Sequence, residues 1–393
     1  MNRNAKILWA IWILLALLGG IGLIERLVTG HRLAAYTSYV PWGMWVAAYI
    51  FFVGLSSGSF LLSSLAYVFK VEKVERVAKL ALFVAGVTII MALVTVGLDL
   101  GHLERAISVF YRPHFSSMMA WVVWLYTAYL ILVVSSIYYA VRRDLKTFDP
   151  KETQDDDRKL RRLMTFGVPL AIAFPGAGGA LFGTVSARAL WNSPLYPILF
   201  IVGGLLSGAA LLTFIASVFY SDRDEAWHDL LQFLGKLVLG LILAELLLEW
   251  AEFSIPLWYG VGPEAGLVKY VLFGPFWYVF WIVHVLFGVV IPIYLLTQRK
   301  DAKAIAWASA LVTVTFFAIR LNLVIPGLVT PELKGLEHAY MDPIGNHLAY
   351  RYLPSFFEWQ LLMGVVALGI AIFYLGRRYL PLFSNPSSHE VSK

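Results

Sequence analysis

Ten long apolar stretches run along the 393-residue chain and decide what it can fold into. Each is long enough to cross a hydrocarbon core of about 30 Å, which takes about 20 residues of helix. The chain is 60% hydrophobic and 14% charged, with a mean hydropathy of +0.73, so a soluble globule could not hide these stretches. We therefore predict an all-α integral membrane protein with ten transmembrane helices. The predicted spans are 7–28, 42–69, 78–100, 117–140, 163–185, 195–220, 229–251, 268–297, 303–326 and 353–375.

The distribution of positive charge predicts the orientation of these spans. Ten crossings place both termini on one side, and the loops and termini of that side carry 21 Lys and Arg residues against 8 on the other. The positive-inside rule then puts both termini in the cytoplasm. The first stretch ends in Glu25-Arg26 without a small-residue cleavage site, which indicates a retained helix. We expect a multi-pass protein of the cytoplasmic, or inner, membrane.

An internal repeat divides the chain. Residues 51–69 align without gaps with residues 201–219, with nine of nineteen positions identical, including the Gly54/Gly204 and Gly58/Gly208 pairs. Small residues in such a register let transmembrane helices approach closely. An even number of spans per repeat makes the repeats parallel, so we predict like-oriented four-helix bundles followed by further helices. The predicted domains are a first four-helix bundle (1–141), a cytoplasmic linker (142–162), a second four-helix bundle (163–300) and two additional helices with the C-terminal tail (301–393).

Placing an ionisable residue inside a membrane span costs free energy, and span 7 carries several such residues. Glu245 and Glu249 are four residues apart and share one helix face, with Glu252 one turn further. Arg320 in span 9 and Glu358 in span 10 are the nearest candidates to face them. We predict a polar cluster of Glu245, Glu249, Arg320 and Glu358. Either it conducts protons, or it is a static lattice of ion pairs between helices.

The chain offers little to hold a cofactor. It has no Cys, which excludes disulfides, thiolate zinc sites and cysteine-ligated iron–sulfur clusters. Only His284 lies clearly deep in a span, so the bis-His pairs of membrane b-type haems are missing, although an unusual axial arrangement stays open. We expect His284 to hydrogen-bond a backbone carbonyl, with membership of the acidic cluster as the alternative. No haem, iron–sulfur cluster or metal is expected in this chain, and any electrons must pass between a diffusible membrane carrier and a partner subunit.

Aromatic and polar side chains gather at the predicted outer ends of the first four spans. Rings can stack on a flat headgroup with paired carbonyls or hydroxyls, while a few donors and an acid or imidazole fix its oxygens, which describes a quinone. Asp99 could instead be a helix-end acid paired with a nearby arginine. In the quinone interpretation, Asp99 or His102 is catalytic and moves the proton. The residues expected to bind quinone are Trp42, Tyr49, Arg112, His114 and Tyr126.

Short motifs in nearly every span together resemble the NrfD/polysulfide reductase family of membrane subunits. Ten spans resemble the longer members, of the HybB, DsrP and HmeB type. The motifs are Pro41-Trp42-Gly43, Gly54-Leu55-Ser56-Ser57-Gly58, Asp99-Leu100-Gly101-His102, Arg112-Pro113-His114-Phe115-Ser116, Phe182-Gly183, Ala187 to Trp191, Arg320-Leu321-Asn322 and Pro354 to Glu358.

The resemblance implies a subunit without a redox cofactor of its own that reacts with quinone, menaquinone above all, near the outer face. A ferredoxin-like iron–sulfur subunit would dock on that face, with further catalytic or cytochrome subunits in the complex, lipid around it and no nucleic acid. Tyr49 would face the quinone, and Asp99, Arg320 and Glu358 match acid and base positions of the longer members. In span 5 the chain reads Pro175-Gly176-Ala177-Gly178-Gly179 where hydrogenase-type members carry His and polar residues, which argues against a plain hydrogenase subunit and weakens a proton route there.

We therefore predict a membrane subunit of a respiratory oxidoreductase that oxidises menaquinol or reduces menaquinone, and that could be coupled to proton translocation. A secondary transporter is one alternative, because parallel bundles with acids at mid-depth could look similar. A passive membrane anchor is the other, with the acids only structural.

Overall fold

The computed structural model describes residues 3–145, 150–220, 223–299, 301–333, 335–339 and 349–383. Within these ranges the chain is helical, with no β-strand. Ten helices are long and apolar enough to cross a membrane, which confirms the predicted number of spans. They are α1 (Arg3–Thr29), α2 (Met44–Tyr67), α3 (Glu75–Asp99), α4 (Met118–Leu145), α5 (Pro150–Gly183), α6 (Tyr196–Phe219), α7 (Glu225–Tyr259), α8 (Val279–Gln298), α9 (Ala302–Val324) and α10 (Phe356–Tyr379).

Helix α5 begins well before its apolar stretch. The segment 142–162, predicted as a solvated linker, is helical from Pro150 onward, while residues 146–149 lie outside the described residues. Its charges are arranged as a helix requires: Lys159 pairs with Asp155 one turn away at 2.7 Å, and buried Asp156 pairs with Arg142 of α4 at 3.1 Å. The segment predicted as a linker is thus helical over residues 150–162, as the N-terminal extension of α5.

Helix α8 begins later than predicted, because the apolar stretch 268–297 is broken at Gly274-Pro275. Residues Pro263–Phe273 form a separate short helix, and the Gly274 N–H donates to the Tyr270 carbonyl at 2.8 Å to close it. Pro275 cannot continue the hydrogen-bond ladder. The first 12 residues of α8, Val279–Val290, are wound as a π-helix, a rare form that often marks functional sites.

Helices α2 and α6 lie at the centre and touch through the repeated segments. Of the 18 most apolar consecutive residues of α2, 83% are buried, compared with 11% for α1. Helix α1 packs on α10 at the periphery. A Cβ built on Gly58 would overlap the Gly204 carbonyl, and one built on Gly54 would lie 3.3 Å from the Gly204 Cα. The small residues that mark the repeat thus let helices approach closely as expected, and the helices that meet there are α2 and α6 themselves.

The helix ends alternate between two faces of the molecule. Lys79 near the start of α3 pairs with Asp144 near the end of α4 and donates to the Pro381 carbonyl beyond α10 at 2.7 Å. Arg76 of α3 donates to both carboxylate oxygens of Asp224, just before α7, at 2.6 and 2.7 Å. We call this face, which carries the start of α1 and the end of α10, the inner end, and the opposite face the outer end.

The glycine contact generates a stability prediction. Gly58→Ala places a methyl group against the α6 backbone and should lower the stability by about 1–3 kcal/mol, the usual cost of overpacking. Gly240→Ala is the matched control, since a Cβ at Gly240 meets nothing within 4 Å and Ala favours helix by up to about 1 kcal/mol. Thermal unfolding of the solubilised protein measures both. Equal Tm values for the two variants would show that the α2–α6 contact is looser than described.

Candidate functional site

The first polar site surrounds Asp99, the last residue of α3, at the outer end. Tyr36, from the loop between α1 and α2, donates its hydroxyl to Asp99 Oδ1. His31 Nε2 donates to the Asp99 backbone carbonyl at 2.9 Å, and the His31 ring stacks on Tyr36 with centroids 5.8 Å apart. Burial and the neighbouring Arg26 lower the pKa of His31, which favours a neutral imidazole. Tyr36 and His31 were missed in the sequence because both lie in a loop 60 or more residues before Asp99 and form no motif with it.

Glu358, at the start of α10, lies in the same site. Its carboxylate is fully buried and accepts hydrogen bonds from the Tyr352 hydroxyl, the Ala35 N–H at 3.1 Å and the Ser355 N–H at 2.8 Å. The Tyr36 and Tyr352 rings stack with centroids 6.4 Å apart. We call Asp99, Tyr36, Tyr352 and Glu358 the outer cluster.

The position of Glu358 corrects a prediction. It was grouped with Glu245, Glu249 and Arg320, but α10 packs against α1 and α3 and carries Glu358 into the first half of the molecule. The prediction failed because it relied on position along the chain, whereas the C-terminal helix α10 packs against the N-terminal helix α1. Burial and the neighbouring carboxylates raise the pKa of Tyr36 and Tyr352, so both hydroxyls are protonated donors.

Three residues predicted for the quinone pocket lie on the outer surface. The exposed His102 side chain pairs with Glu104 at 2.8 Å, and exposed His114 bonds the Ser116 hydroxyl at 3.1 Å. Exposed Arg112 lies over the ring of Tyr111. His102, Arg112 and His114 were expected to surround Asp99, but their side chains lie exposed in the loop that follows the end of α3 at Asp99.

The aromatic residues predicted to bind quinone lie in two separate places. Trp42 stacks on Trp191 of the second half, with centroids 5.9 Å apart and ring planes 19° apart. Tyr49 of α2 stacks on Tyr126 of α4 with centroids 6.2 Å apart, and the Tyr126 hydroxyl donates to the Ile89 carbonyl at 3.0 Å. Trp42 thus joins the two halves, while Tyr49 and Tyr126 form a stacked pair within the first.

A second polar site lies between α7, α8 and α9. Glu249 of α7 forms a hydrogen bond with His284 of α8, with 2.9 Å between Oε2 and Nε2. His284 was expected to bond a backbone carbonyl, but it belongs to the acidic cluster, which was the alternative. The turns of π-helix carry His284. With Glu245, Arg320 and Asn322, these residues form what we call the α7–α9 cluster.

Glu245 and Arg320 are each 3% exposed and approach the same point on α6. A Cβ built on Gly203 would lie 3.1 Å from Glu245 Oε1 and 2.8 Å from Arg320 Nη2. The guanidinium packs over the rings of Phe200 and Phe316, 4.6 and 4.9 Å from their centroids. Among the described residues, neither carboxylate oxygen of Glu245 nor Nε of Arg320 has a hydrogen-bond partner.

Two cavities adjoin this cluster. The outer cavity has a volume of about 60 Å³ and is lined by Tyr196, Glu252, Arg320 and Asn322 among others. The inner cavity, of about 10 Å³, is lined mainly by apolar side chains and by Thr315. Both are also lined by Glu245, Glu249 and His284. The cluster therefore borders spaces that can hold water molecules but are much smaller than an ordinary ligand pocket of about 300–1,000 Å³.

The Tyr352–Glu358 contact generates a second stability prediction. Tyr352→Phe removes a donor to a fully buried carboxylate and an acceptor for the Met44 N–H, 2.6 Å from the Tyr352 oxygen, and should cost about 1–3 kcal/mol. Tyr379→Phe, at an exposed ring near the inner end of α10, should change stability by less than about 0.5 kcal/mol. Thermal unfolding compares them; an unchanged Tm for Tyr352→Phe would mean that Glu358 does not need this donor.

Comparison with known proteins places the chain in a family. Residues 33–332 match the family model described as polysulphide reductase, NrfD. One subunit of the selenate reductase of Mesobacillus selenatarsenatis is 33% identical over 97% of this chain and 95% of its own length. The Hdr-like menaquinol oxidoreductase integral membrane subunit of Archaeoglobus fulgidus is 30% identical over 98% and 95%, and the menaquinone reductase integral membrane subunit of Nitratidesulfovibrio vulgaris is 19% identical over 93% and 88%. The resemblance inferred from the motifs is thus confirmed, and the chain belongs to the NrfD family of polytopic membrane proteins.

Proposed function

We propose that this chain is the quinone-reactive membrane subunit of a respiratory oxidoreductase complex in the cytoplasmic membrane. Family membership and similarity to membrane subunits named for menaquinol oxidation and menaquinone reduction support this function. The substrate is a quinone, with menaquinone the best-supported species. The bias of Lys and Arg supports cytoplasmic termini, so that the outer end faces away from the cytoplasm.

The hydrogen bond between Tyr36 and Asp99 is the observation that carries the quinone proposal. Quinol oxidation releases protons together with electrons, so the site needs a group that accepts a proton close to the outer face. Asp99 is a carboxylate at the end of a span, within reach of that face, and Tyr36 and His31 hold its side chain and backbone in place. A positioned carboxylate with a phenol beside it suits proton transfer to and from a quinone oxygen. We assign the proton transfer to Asp99 and the orientation of its side chain to Tyr36.

Replacing Asp99 tests this assignment. Asp99→Asn keeps the shape but cannot take up a proton, so quinol-dependent electron transfer should fall about 100-fold or more, the usual contribution of a general base, while the complex still assembles. Glu72→Gln, at an exposed acid just before the start of α3 at the inner end, is the control and should keep full activity. Quinol oxidation by the purified complex measures both. Unchanged turnover in Asp99→Asn would remove Asp99 from the mechanism.

An iron–sulfur subunit docked on the outer end is the proposed electron partner. The segment 102–117 supports this proposal, because it exposes large apolar and basic side chains together, a composition found in protein interfaces. Ile107, Tyr111 and Phe115 are each 65–70% exposed. Trp121 of α4 holds the segment by donating from Nε1 to the Phe115 carbonyl at 2.9 Å. His102, Arg112 and His114 would then contact the partner and not the quinone.

Charge reversal in this segment tests the docking proposal. Arg112→Glu should weaken the association with the partner by about tenfold, or about 1.4 kcal/mol, because it repels an acidic surface. Arg299→Glu, at an exposed position beyond the inner end of α8, should leave the association unchanged. Co-purification over a range of ionic strength compares them; equal retention of the partner would place docking elsewhere.

The α7–α9 cluster is the proposed proton path of the second half. When the 150-residue offset between segments 51–69 and 201–219 is carried forward, Glu249 corresponds to Asp99, which supports descent of both halves from a duplicated unit. The unpaired oxygens of Glu245 support a group that takes up protons over a group locked in a lattice. The alternative is that Glu245 only neutralises Arg320.

Glu245→Gln separates these roles. A proton path predicts that proton translocation coupled to quinol oxidation is lost in vesicles, with thermal stability kept, because the isosteric amide cannot carry a proton. A static charge pair predicts a loss of about 3–5 kcal/mol of stability, because Arg320 would stay buried without that counter-charge. A destabilised variant that still translocates protons would reject the proton path.

A further inference from the structure

The outer cavity of the α7–α9 cluster reaches towards the outer end of the molecule. Leu190 in the loop before α6, Tyr196 at the start of α6 and Val271 in the short helix after α7 contribute to its wall. Glu252, two turns outward of Glu245 on α7, lines it too and accepts a hydrogen bond from the Ser193 hydroxyl at 2.7 Å. Polar side chains thus continue from the cluster towards the outer surface.

The inner cavity ends against a layer of apolar side chains. Five buried residues of this layer line the cavity, contributed by α6, α7, α8 and α9. From Glu245 the helix continues inward for 20 residues to Glu225, about 30 Å at 1.5 Å per residue. The layer therefore separates Glu245 from the inner end. It consists of Leu206, Ile242, Val289, Val312 and Phe316.

Polar atoms aimed into these cavities need hydrogen-bond partners. Both carboxylate oxygens of Glu245, Nε of Arg320 and Nδ2 of Asn322 are buried and unpaired among the described residues. Buried polar atoms in native proteins are paired with protein or with ordered water. A water needs about 10–15 Å³ of such space and several polar partners. The outer cavity, at about 60 Å³, has room for several waters, and the inner one for about one.

We propose that the outer cavity is a water-filled half-channel that leads from the outer end to Glu245 and stops there. Its ligand is water, with the protons that water carries. The apolar layer around Val312 closes the inner side in this conformation, so that here Glu245 exchanges protons with the outer side alone. This inference concerns access and holds whether or not the chain reacts with quinone.

Ser309 marks where an inner route would have to begin. It lies on α9 one turn inward of Val312, fully buried, and its hydroxyl also has no partner among the described residues. An apolar layer without water would isolate Ser309 from the cavity. Cysteine is close to serine in size, so Ser309 is a suitable position for a probe on the far side of the layer.

The natural absence of Cys allows each position to be probed singly. The variants are Asn322→Cys in the outer cavity, Thr315→Cys in the inner cavity, and Val312→Cys and Ser309→Cys in and beyond the layer. Leu212→Cys, at a fully buried apolar position on α6, gives the rate for a thiol without water access. Each is made in the full chain within its complex and exposed to silver ion, a thiol reagent of about the size of water, in sealed vesicles of either orientation. Maleimide labelling after denaturation measures the thiols that remain free.

The half-channel predicts a one-sided pattern. Silver on the outer side should block Asn322→Cys and Thr315→Cys, and should block the other variants at least about tenfold more slowly, because those thiols react only through local opening. Silver on the inner side should block neither Asn322→Cys nor Thr315→Cys faster than Leu212→Cys. Fast inner-side blocking of Thr315→Cys, or fast outer-side blocking of Ser309→Cys, would overturn the proposal by showing a continuous channel. Protection of Asn322→Cys from both sides would overturn it by showing a dry cavity. Quinol turnover of each variant is measured separately, so failure of this inference is distinct from failure of the proposed function.

Discussion

The backbone contact between α2 and α6 holds the two halves of the molecule together and positions both polar sites. In a membrane, apolar side chains gain nothing by leaving lipid for one another, so close packing of small residues has to supply the association. Gly54 and Gly58 of α2 supply it against Gly204 and Gly208 of α6. Beside Gly204, Gly203 leaves the space into which Glu245 and Arg320 project. At the outer end of α2, Trp45 donates from Nε1 to the Glu358 carbonyl at 3.1 Å.

The two buried acids on which the sites depend have opposite surroundings. Glu358 accepts three hydrogen bonds, one of which comes from the Ala35 N–H and ties the α1–α2 loop to the start of α10, so we propose that it holds the outer cluster in shape. Glu245 has no such partners among the described residues and borders a cavity. An acid that is fully satisfied stabilises a structure, whereas one left open to water can change its protonation. On this contrast, and not on depth in the membrane alone, we base the proposal that Glu245 is functional and Glu358 structural.

Much of the fold followed from the sequence because a membrane leaves few choices. The ten helices and the α2–α6 contact depend on apolar length and on a small-residue register, which are local properties. The grouping of Glu245 with Glu249 also came from local spacing, since residues four apart share a helix face. The failures concern contacts that no local pattern encodes. Glu358 and Tyr352 reach Asp99 from the other end of the chain, and His102 points to the surface although it lies three residues from Asp99.

We propose that quinone reacts beside Asp99 in the first half, while the α7–α9 cluster of the second half handles water and protons. A photoreactive azido-menaquinone, bound to the purified complex, illuminated and located by mass spectrometry of peptides, tests this division directly. We predict labels in the α1–α2 loop and in the outer parts of α2, α3 and α4, and their suppression by excess menaquinone. Labels confined to α7, α8 and α9 and equally suppressed would contradict the account, because they would place the quinone in the second half.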